Sequence, residues 1–441
     1  MDIKSATVGI YTLGCKVNQY ESEAIAEALV AGGVSVCSPS MRCDGYIINT
    51  CTVTAESDRK ARQFIRRAIN KNPDAFIVVT GCVAETAVDA LLKIKGIDAI
   101  IGNGKKMDAA YVMLDLLAGG VKNFSTEIRK PSLDGGGFEE MSITRFDRTR
   151  AYVKIEDGCE CKCSYCAISM ARGPVRSKPI NEVISEVEAL SLGGTREIVL
   201  TGIETGSYGS DLDGGMGLAD LILKLDERKS CARIRLGSMA PELVTEDFLR
   251  KISSAKIMSP HIHLSVQSAS SSVLRGMKRR YNADMLYRCV ENIYKYMPHA
   301  TITADLMVGF PAESDADFEE TLKFVSRAGL LDAHVFAYSK RGGTPAALYP
   351  NQVDEQTKQE RSRALINEVK RVRDLTLDRI INETAQLSVV FESSREGGYI
   401  GHSAEYAEVF VKSERDLRGE MITVLPKEHE GGIIIGEPIY S

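Results

Sequence analysis

At 441 residues the chain is too long for one ordinary hydrophobic core and implies two to four domains. Apolar residues at 44% and charged residues at 26% are the proportions of a soluble globular protein, and no apolar run reaches the roughly 18 residues that a spanning helix needs. A net charge of −5 excludes capture of nucleic acid by the overall field, so such a partner must be met by local basic patches.

The start, Met1-Asp2-Ile3-Lys4-Ser5, lacks the basic and apolar regions of a signal peptide, which points to the cytoplasm and to no membrane partner. Eleven cysteines in that compartment stay reduced, and the odd count excludes full pairing. Through residue 120 the pattern alternates. Apolar runs at Val8–Leu13, Tyr46–Ile48, Ile77–Val79 and Ala99–Ile101 read as strands, and Glu21–Ala31, Ser57–Ile69 and Thr86–Leu92 as helices. Such alternation predicts a parallel sheet covered on both faces. Residues 121–146, with Lys130-Pro131-Ser132-Leu133-Asp134-Gly135-Gly136-Gly137, read as linker.

A second alternating series follows, with strands at Ala151–Ile155, Glu197–Leu200, Arg233–Leu236, His261–Val266, Thr301–Val308 and Ala333–Tyr338. Its clearest helix is Pro179–Leu192, stopped by Gly193-Gly194. Six such units predict an open, incomplete barrel in place of a closed eight-stranded one. Beyond a charged helical stretch (Val353–Arg379), short strands at Gln386–Glu392, Tyr406–Val411 and Met421–Leu425 predict a small antiparallel barrel. The class is therefore α/β with a small all-β domain. Two basic clusters stand out, Arg59-Lys60-Ala61-Arg62-Gln63-Phe64-Ile65-Arg66-Arg67 and Arg275-Gly276-Met277-Lys278-Arg279-Arg280, either of which can be a plain solvated face.

Directly after the first barrel strand lies Cys159-Glu160-Cys161-Lys162-Cys163-Ser164-Tyr165-Cys166. Three thiolates in C-x3-C-x2-C spacing can hold three irons of a [4Fe–4S] cube and leave the fourth open. A zinc site on Cys159, Cys161, Cys163 and Cys166 competes, but structural zinc favours two separated C-x2-C pairs. Cys161 exceeds the pattern and is given no role. A second trio, Cys15, Cys51 and Cys82, shares one context, each following an apolar strand and a small or polar residue. Carboxyl ends of strands in an open parallel sheet line one edge, so three such cysteines can converge. Buried core cysteine is the plain alternative, and Cys37, Cys43, Cys231 and Cys289 are read that way.

The first cysteine stretch resembles the radical S-adenosylmethionine (SAM) signature, which implies that SAM chelates the open iron with Tyr165 against its adenine. Leu200-Thr201-Gly202, Gly237-Ser238-Met239, His263 to Ser268 and Asp305 to Ser314 resemble that superfamily's strand ends, and imply SAM contacts at Thr201, Gly202, Ser238, Gln267, Gly309 and Glu313. The whole chain is similar to the methylthiotransferases. That resemblance implies a flavodoxin-like domain over 1–120 with an auxiliary [4Fe–4S] cluster on Cys15, Cys51 and Cys82. It further implies a radical SAM partial (β/α)6 barrel over 147–375 and an RNA-binding-type TRAM barrel over 378–441.

Within the family, Thr12-Leu13-Gly14-Cys15-Lys16-Val17-Asn18-Gln19 is similar to the branch acting on N6-threonylcarbamoyladenosine (t6A) at position 37 of tRNA. Met277 to Tyr281 and Tyr338 to Thr344 also look like family segments. The resemblance implies two [4Fe–4S] clusters and SAM as cofactors, and addition of a methylthio group to C2 of the base through a 5′-deoxyadenosyl radical. It implies as partners a t6A-bearing anticodon stem-loop, an electron donor such as flavodoxin or ferredoxin, and a sulfur source. No catalytic side chain beyond the cluster ligands is assigned. Isopentenyladenosine in tRNA, a ribosomal protein residue, or a non-enzymatic iron–sulfur or zinc RNA-binding role are the alternatives. One feature departs from the pattern: Arg379–Ser441 carries six Lys and Arg against eleven Asp and Glu. RNA contact is then expected from Arg59, Lys60, Arg62, Arg66 and Arg67, or from the barrel's few candidates Arg395, Lys412, Arg415 and Arg418.

Overall fold

The computed structural model describes residues 3–52, 55–122, 125–134 and 136–440. Gly135 of the linker stretch, Met1, Asp2 and Ser441 lie outside the described residues. Strands β1 (Thr7–Thr12), β2 (Ser35–Cys37), β3 (Gly45–Thr50), β4 (Phe76–Gly81), β5 (Ala99–Ile101) and β6 (Glu127–Arg129) form one sheet in the order β2-β1-β3-β4-β5-β6. Every pairing is parallel, the flavodoxin-like arrangement whose order reverses beside β1. Strand β6 lies inside the stretch read as linker, and its three residues lacked a legible apolar pattern.

The first helix runs Lys16–Ala31, a full turn earlier than its apolar periodicity suggested. Its opening turn buries Asn18 and Glu21, so polar side chains occupy inward positions and mask the pattern. Further along, Ile25 and Leu29 pack in the N-terminal core with Val8 and Ile47. Tyr20 and Ala24 join the barrel's core with Ala151 and Val153 instead. One helix thus serves two domains. The Tyr20 hydroxyl fixes the contact by donating to Glu186 at 2.8 Å. Thr86–Leu92, expected as one helix, is split into Cys82–Thr86 and Val88–Leu92 by Ala87, whose φ of −137° is not helical.

Parallel strands β7 (Arg150–Lys154), β10 (Glu197–Thr201) and β11 (Arg233–Leu236) make one half of the central domain, and β8 (Glu156–Asp157) pairs β9 (Arg176–Ser177) at its mouth. The other half is β12 (His261–Gln267), β13 (Thr301–Val308) and β14 (Asp332–Ala337), also parallel. Parallel bridges Ile234–Met258 and Met239–Leu264 join the halves into an open six-stranded barrel, as the six repeats predicted.

The C-terminal barrel closes in the order β15 (Leu387–Arg395), β16 (Gly398–Ser403), β17 (Glu408–Lys412), β19 (Ile433–Ile439), β18 (Met421–Glu430). Two of these strands, β16 and β19, carry glycine or proline inside and were not legible as strands. The barrel is not wholly antiparallel, because β17 and β19 run parallel. Helix Glu355–Glu383 connects it, burying Leu365, Val369 and Val372 in the central core, then Leu377 and Ile380 in the small one. At the central barrel's base, Tyr406 stacks on His261 with centroids 4.5 Å apart. Arg233 and Arg235, held by Glu197 at 2.6 and 2.7 Å, donate to the carbonyls of Ser388 and Ser403. Among the described residues no helix is long and apolar enough to cross a membrane.

Candidate active site

The chain leaves the mouth of the central barrel at Gly158, with φ of +95° and the place of a Cβ only 1.9 Å from the Pro174 carbonyl, so no side chain fits. Backbone hydrogen bonds then fix the cysteine loop from several directions. Cys159 N–H donates to Gly173 at 3.0 Å, Ser164 N–H to Met277 at 3.0 Å, and Ala346 N–H to Ser164 at 2.8 Å. Arg279 donates to the Cys163 sulfur at 3.5 Å and to the Ser265 carbonyl at 3.0 Å. Arg280 donates to the Glu160 carbonyl at 2.9 Å, so half of the second basic cluster braces this loop instead of forming a free surface.

Burial raises the thiols of Cys163 and Cys166, the latter to about 11. A hydrogen bond from Cys159, with Arg280 and Arg279 near, draws Cys161 down to about 6, and that same bond with burial pushes Cys159 up. Cys161 thus sits beside Cys159 and not apart from the trio. The donor set suits iron and sulfur: soft sulfurs on one loop, bonded in by backbone, with no imidazole among them.

The expected SAM contacts ring this mouth. Thr201 ends β10 and is buried, and Gly202 lies so close to Glu156 that a Cβ would come within 2.3 Å of its carboxylate. Ser238 is half-buried just past β11. Gln267 ends β12 with φ of +62° and a buried amide oxygen that lacks a partner among the described residues. Tyr165 packs against the small core cluster that contains Val273, Met277 and Phe310. Glu313 behaves otherwise: its carboxylate accepts the Gly309 N–H at 3.1 Å and pairs with Arg361 at 2.8 Å, which holds the turn after β13. Two acids were not legible in advance. Burial pushes Glu156 well above the usual carboxylate range and Glu204 up to about 7.

The second trio is brought together by strand order. Strands β1, β3 and β4 are neighbours, with Thr12 beside Asn49 and Thr50 beside Gly81. Cys15 caps the helix Lys16–Ala31, Cys51 follows β3, and Cys82 opens the helix Cys82–Thr86. Gly14 has φ of +105° and approaches Cys51 so closely that a Cβ would lie 2.7 Å from its sulfur. Gly81, φ +97°, is pressed on the Thr50 carbonyl, where a Cβ would sit at 2.2 Å. The Asn18 amide spans the gap, donating to the Leu13 and Thr50 carbonyls at 2.7 and 2.9 Å. Cys51 and Cys82 are buried, and Cys15 is exposed.

A buried ion network binds the two cysteine loops to each other. Arg172, six residues past Cys166, donates to the Asn18 side-chain oxygen at 2.7 Å and to Glu21 at 2.5 Å, both just past Cys15. It also lies 3.2 Å from Asp157, two residues before Cys159. Lys154 joins Glu21 at 2.9 Å and Asp157 at 2.6 Å, and Lys106 joins Glu21 at 3.0 Å. Against burial, Arg172, Lys106 and Lys154 hold Glu21 well below the usual carboxylate range. With Arg176 at 3.6 Å from Asp157, four cations face these two carboxylates beside the two cysteine loops. No sequence pattern signalled it, because its members come from four separate segments.

Of the expected RNA contacts, Arg59, Lys60, Arg66 and Arg67 are exposed and Arg62 half-buried on helix Ala55–Lys71, whose opposite face buries Ala61, Ile65 and Ala68. Arg341, from the loop after β14, ties this helix to the Cys51 loop through Asp58 at 2.8 Å and through Thr52. Lys412 is exposed on the small barrel, whereas Arg415 is already paired with Glu420 at 2.6 Å.

An open parallel barrel with a cysteine-rich loop at its mouth defines a radical SAM enzyme, here joined to a parallel-sheet domain with its own cysteine trio. Family comparisons agree: residues 153–325 match the Radical SAM superfamily, and residues 7–102 match "Uncharacterized protein family UPF0004". The chain is 36% identical over 95% of its length to the threonylcarbamoyladenosine tRNA methylthiotransferase MtaB of Bacillus subtilis, covering 93% of that protein. It is 30% identical over 99% of its length to the tRNA-2-methylthio-N(6)-dimethylallyladenosine synthase of Caldicellulosiruptor saccharolyticus, covering 93% of it. The chain belongs to the methylthiotransferase family of radical SAM enzymes. Among solved structures, the radical SAM methyltransferase TsrM from Kitasatospora setae shares the fold, with a TM-score of 0.56 at 14% identity over 78% of this chain and 77% of that one.

Proposed function

We propose that the protein adds a methylthio group to C2 of t6A at position 37 of tRNA. Cys159, Cys163 and Cys166 would hold one [4Fe–4S] cluster, and Cys15, Cys51 and Cys82 a second. When bound, the clusters and SAM supply the radical and the methylthio group. The chain's own residues tie the two cysteine loops to one another through Arg172, bonded to both sides. Tyr165, Thr201, Gly202, Ser238 and Gln267 line the mouth where SAM would lie, while Glu313 and Arg361 keep the rim in shape.

What supports this reading is the placement of the two cysteine loops on either side of the buried Arg172 network, in a chain with 36% identity to MtaB of B. subtilis. The basic face of helix Ala55–Lys71, tied by Arg341 to the Cys51 loop, presents cations to an RNA backbone next to that loop. An anticodon loop leaves its bases partly unstacked, so presenting one to the site costs little. A low-potential electron donor such as flavodoxin or ferredoxin, a sulfur source and a cytoplasmic setting complete the proposal. Mass spectrometry of tRNA nucleosides from cells with and without the protein tests it. Loss of 2-methylthio-t6A is expected in the deletion. Unchanged 2-methylthio-t6A, or loss of the isopentenyl analogue instead, overturns the substrate assignment.

A further inference from the structure

Inside the central barrel, above Tyr406, lies a partly open cavity of about 50 Å³ that the chemistry so far leaves unused. Its wall includes Lys16, Arg150, Arg235, His261, His263 and Thr303. Nearly every charge there is answered within the protein. Arg150 pairs with Glu392 at 3.0 Å, and Arg235 with Glu197 at 2.7 Å and the Ala404 carbonyl at 3.1 Å. Beside the cavity Asp305 is bracketed by His263 at 3.3 Å and His334 at 3.1 Å. The Thr303 hydroxyl sits between His261 and His263 at 2.8 and 2.7 Å.

Lys16 is the exception. Its side chain is partly buried, and among the described residues its ammonium meets no carboxylate within ion-pair distance and no hydrogen-bond acceptor. The His261 Nδ1 is likewise buried without a partner. A partly buried cation without a counter-charge favours an incoming anion, because part of its desolvation cost is already met in the free protein. Lys16 directly follows Cys15, so its backbone belongs to the loop of the auxiliary trio while its side chain reaches the cavity wall. Tyr406 of the small barrel closes the floor.

We infer that this chamber receives the carboxylate end of an amino-acid substituent on the modified base, with Lys16 as its pairing cation. The inference rests on the t6A reading, since the threonylcarbamoyl group carries one carboxylate, one hydroxyl and a urea-like linkage. Lys16 answers the carboxylate; Thr303 and the free His261 nitrogen offer hydrogen bonds to the hydroxyl or the linkage. A base with an alkyl substituent has nothing for Lys16 to bind.

The test compares two anticodon stem-loops with the reconstituted full-length protein. One carries t6A and the other its threonine amide, which removes the charge at nearly constant shape. Fluorescence anisotropy gives affinity, and turnover gives KM. The wild type is expected to bind the carboxylate form at least about tenfold more tightly, the worth of one hydrogen-bonded charge. Lys16→Met should bring the two together by weakening the t6A form alone, and Lys16→Arg should keep the preference. Equal affinities in the wild type overturn the inference, and so does a preference that survives in Lys16→Met. Should Lys16→Met fail to fold, the wild-type comparison decides by itself. Turnover of neither stem-loop by the wild type sinks the substrate reading and the chamber's role together, whereas turnover with equal affinities sinks the chamber alone.

Discussion

Replacing Arg172 by methionine tests the join between the two cysteine loops. The side chain is fully buried and donates to Glu21 at 2.5 and 3.3 Å, to Asp157 at 3.2 Å and to Asn18 at 2.7 Å. Methionine keeps the length and the apolar packing of the stem but removes every one of these bonds. Breaking a buried ion pair by removing one partner typically costs about 3–5 kcal/mol. Here Glu21 retains Lys106 and Lys154, and Asp157 retains Lys154, so the low end, about 3 kcal/mol, applies. That corresponds to roughly a hundredfold change in the equilibrium for local opening. Hydrogen exchange reads it directly: amides of Lys16–Ala31 and Ile168–Arg172 should exchange about a hundred times faster at neutral pH. Iron retained after anaerobic reconstitution should fall as well. Arg172→Lys should lie between, because one ammonium cannot span Asn18, Glu21 and Asp157 together. Wild-type exchange rates and wild-type iron in Arg172→Met would refute the idea that this network docks the loops.

Cysteine-to-alanine replacement of either trio should lower reconstituted iron from about eight to about four per chain, while Cys161→Ala should keep about eight. Elemental analysis and absorbance check both. Gly81→Ala forces a Cβ to 2.2 Å from the Thr50 carbonyl at positive φ, so it should cost the Cys15, Cys51 and Cys82 site its iron and leave about four irons on the other trio. On the helix Ala55–Lys71, the double substitution Arg62→Gln and Arg66→Gln should weaken binding of an unmodified anticodon stem-loop and lower the slope of log affinity against log salt by about two, measured by anisotropy across a salt series. Glu197 is buried and, despite that burial, is held by Arg235, Arg233 and Arg150 down to about 2, below its ordinary 4.5. A depressed carboxylate contributes stability that is present above pH 4.5 and lost as pH falls toward 2. Acid titration followed by circular dichroism should therefore show Glu197→Gln less stable than wild type at neutral pH, with the difference shrinking through that window; a constant difference would refute it.

The cysteine spacing after β7, the alternation of strand and helix, and the six strand–helix units of the central domain were all legible in the sequence. Each is a local pattern: a loop can present three thiols by spacing alone, and periodicity records which face of one element is buried. The repeated context of Cys15, Cys51 and Cys82 was legible as well, but their meeting depends on β1, β3 and β4 being neighbours, which is a property of sheet order. Strands β16 and β19 escaped notice because glycine and proline interrupt their apolar alternation. The early start of the first helix escaped for a related reason, since Asn18 and Glu21 are polar residues buried against distant partners. Only the tertiary structure decided that Arg172, Lys106, Lys154, Glu21 and Asp157 form one network, or that Arg279 and Arg280 turn inward to the cysteine loop. A sequence shows that a residue carries charge; which opposite charge answers it is fixed only when segments far apart in the chain are packed together.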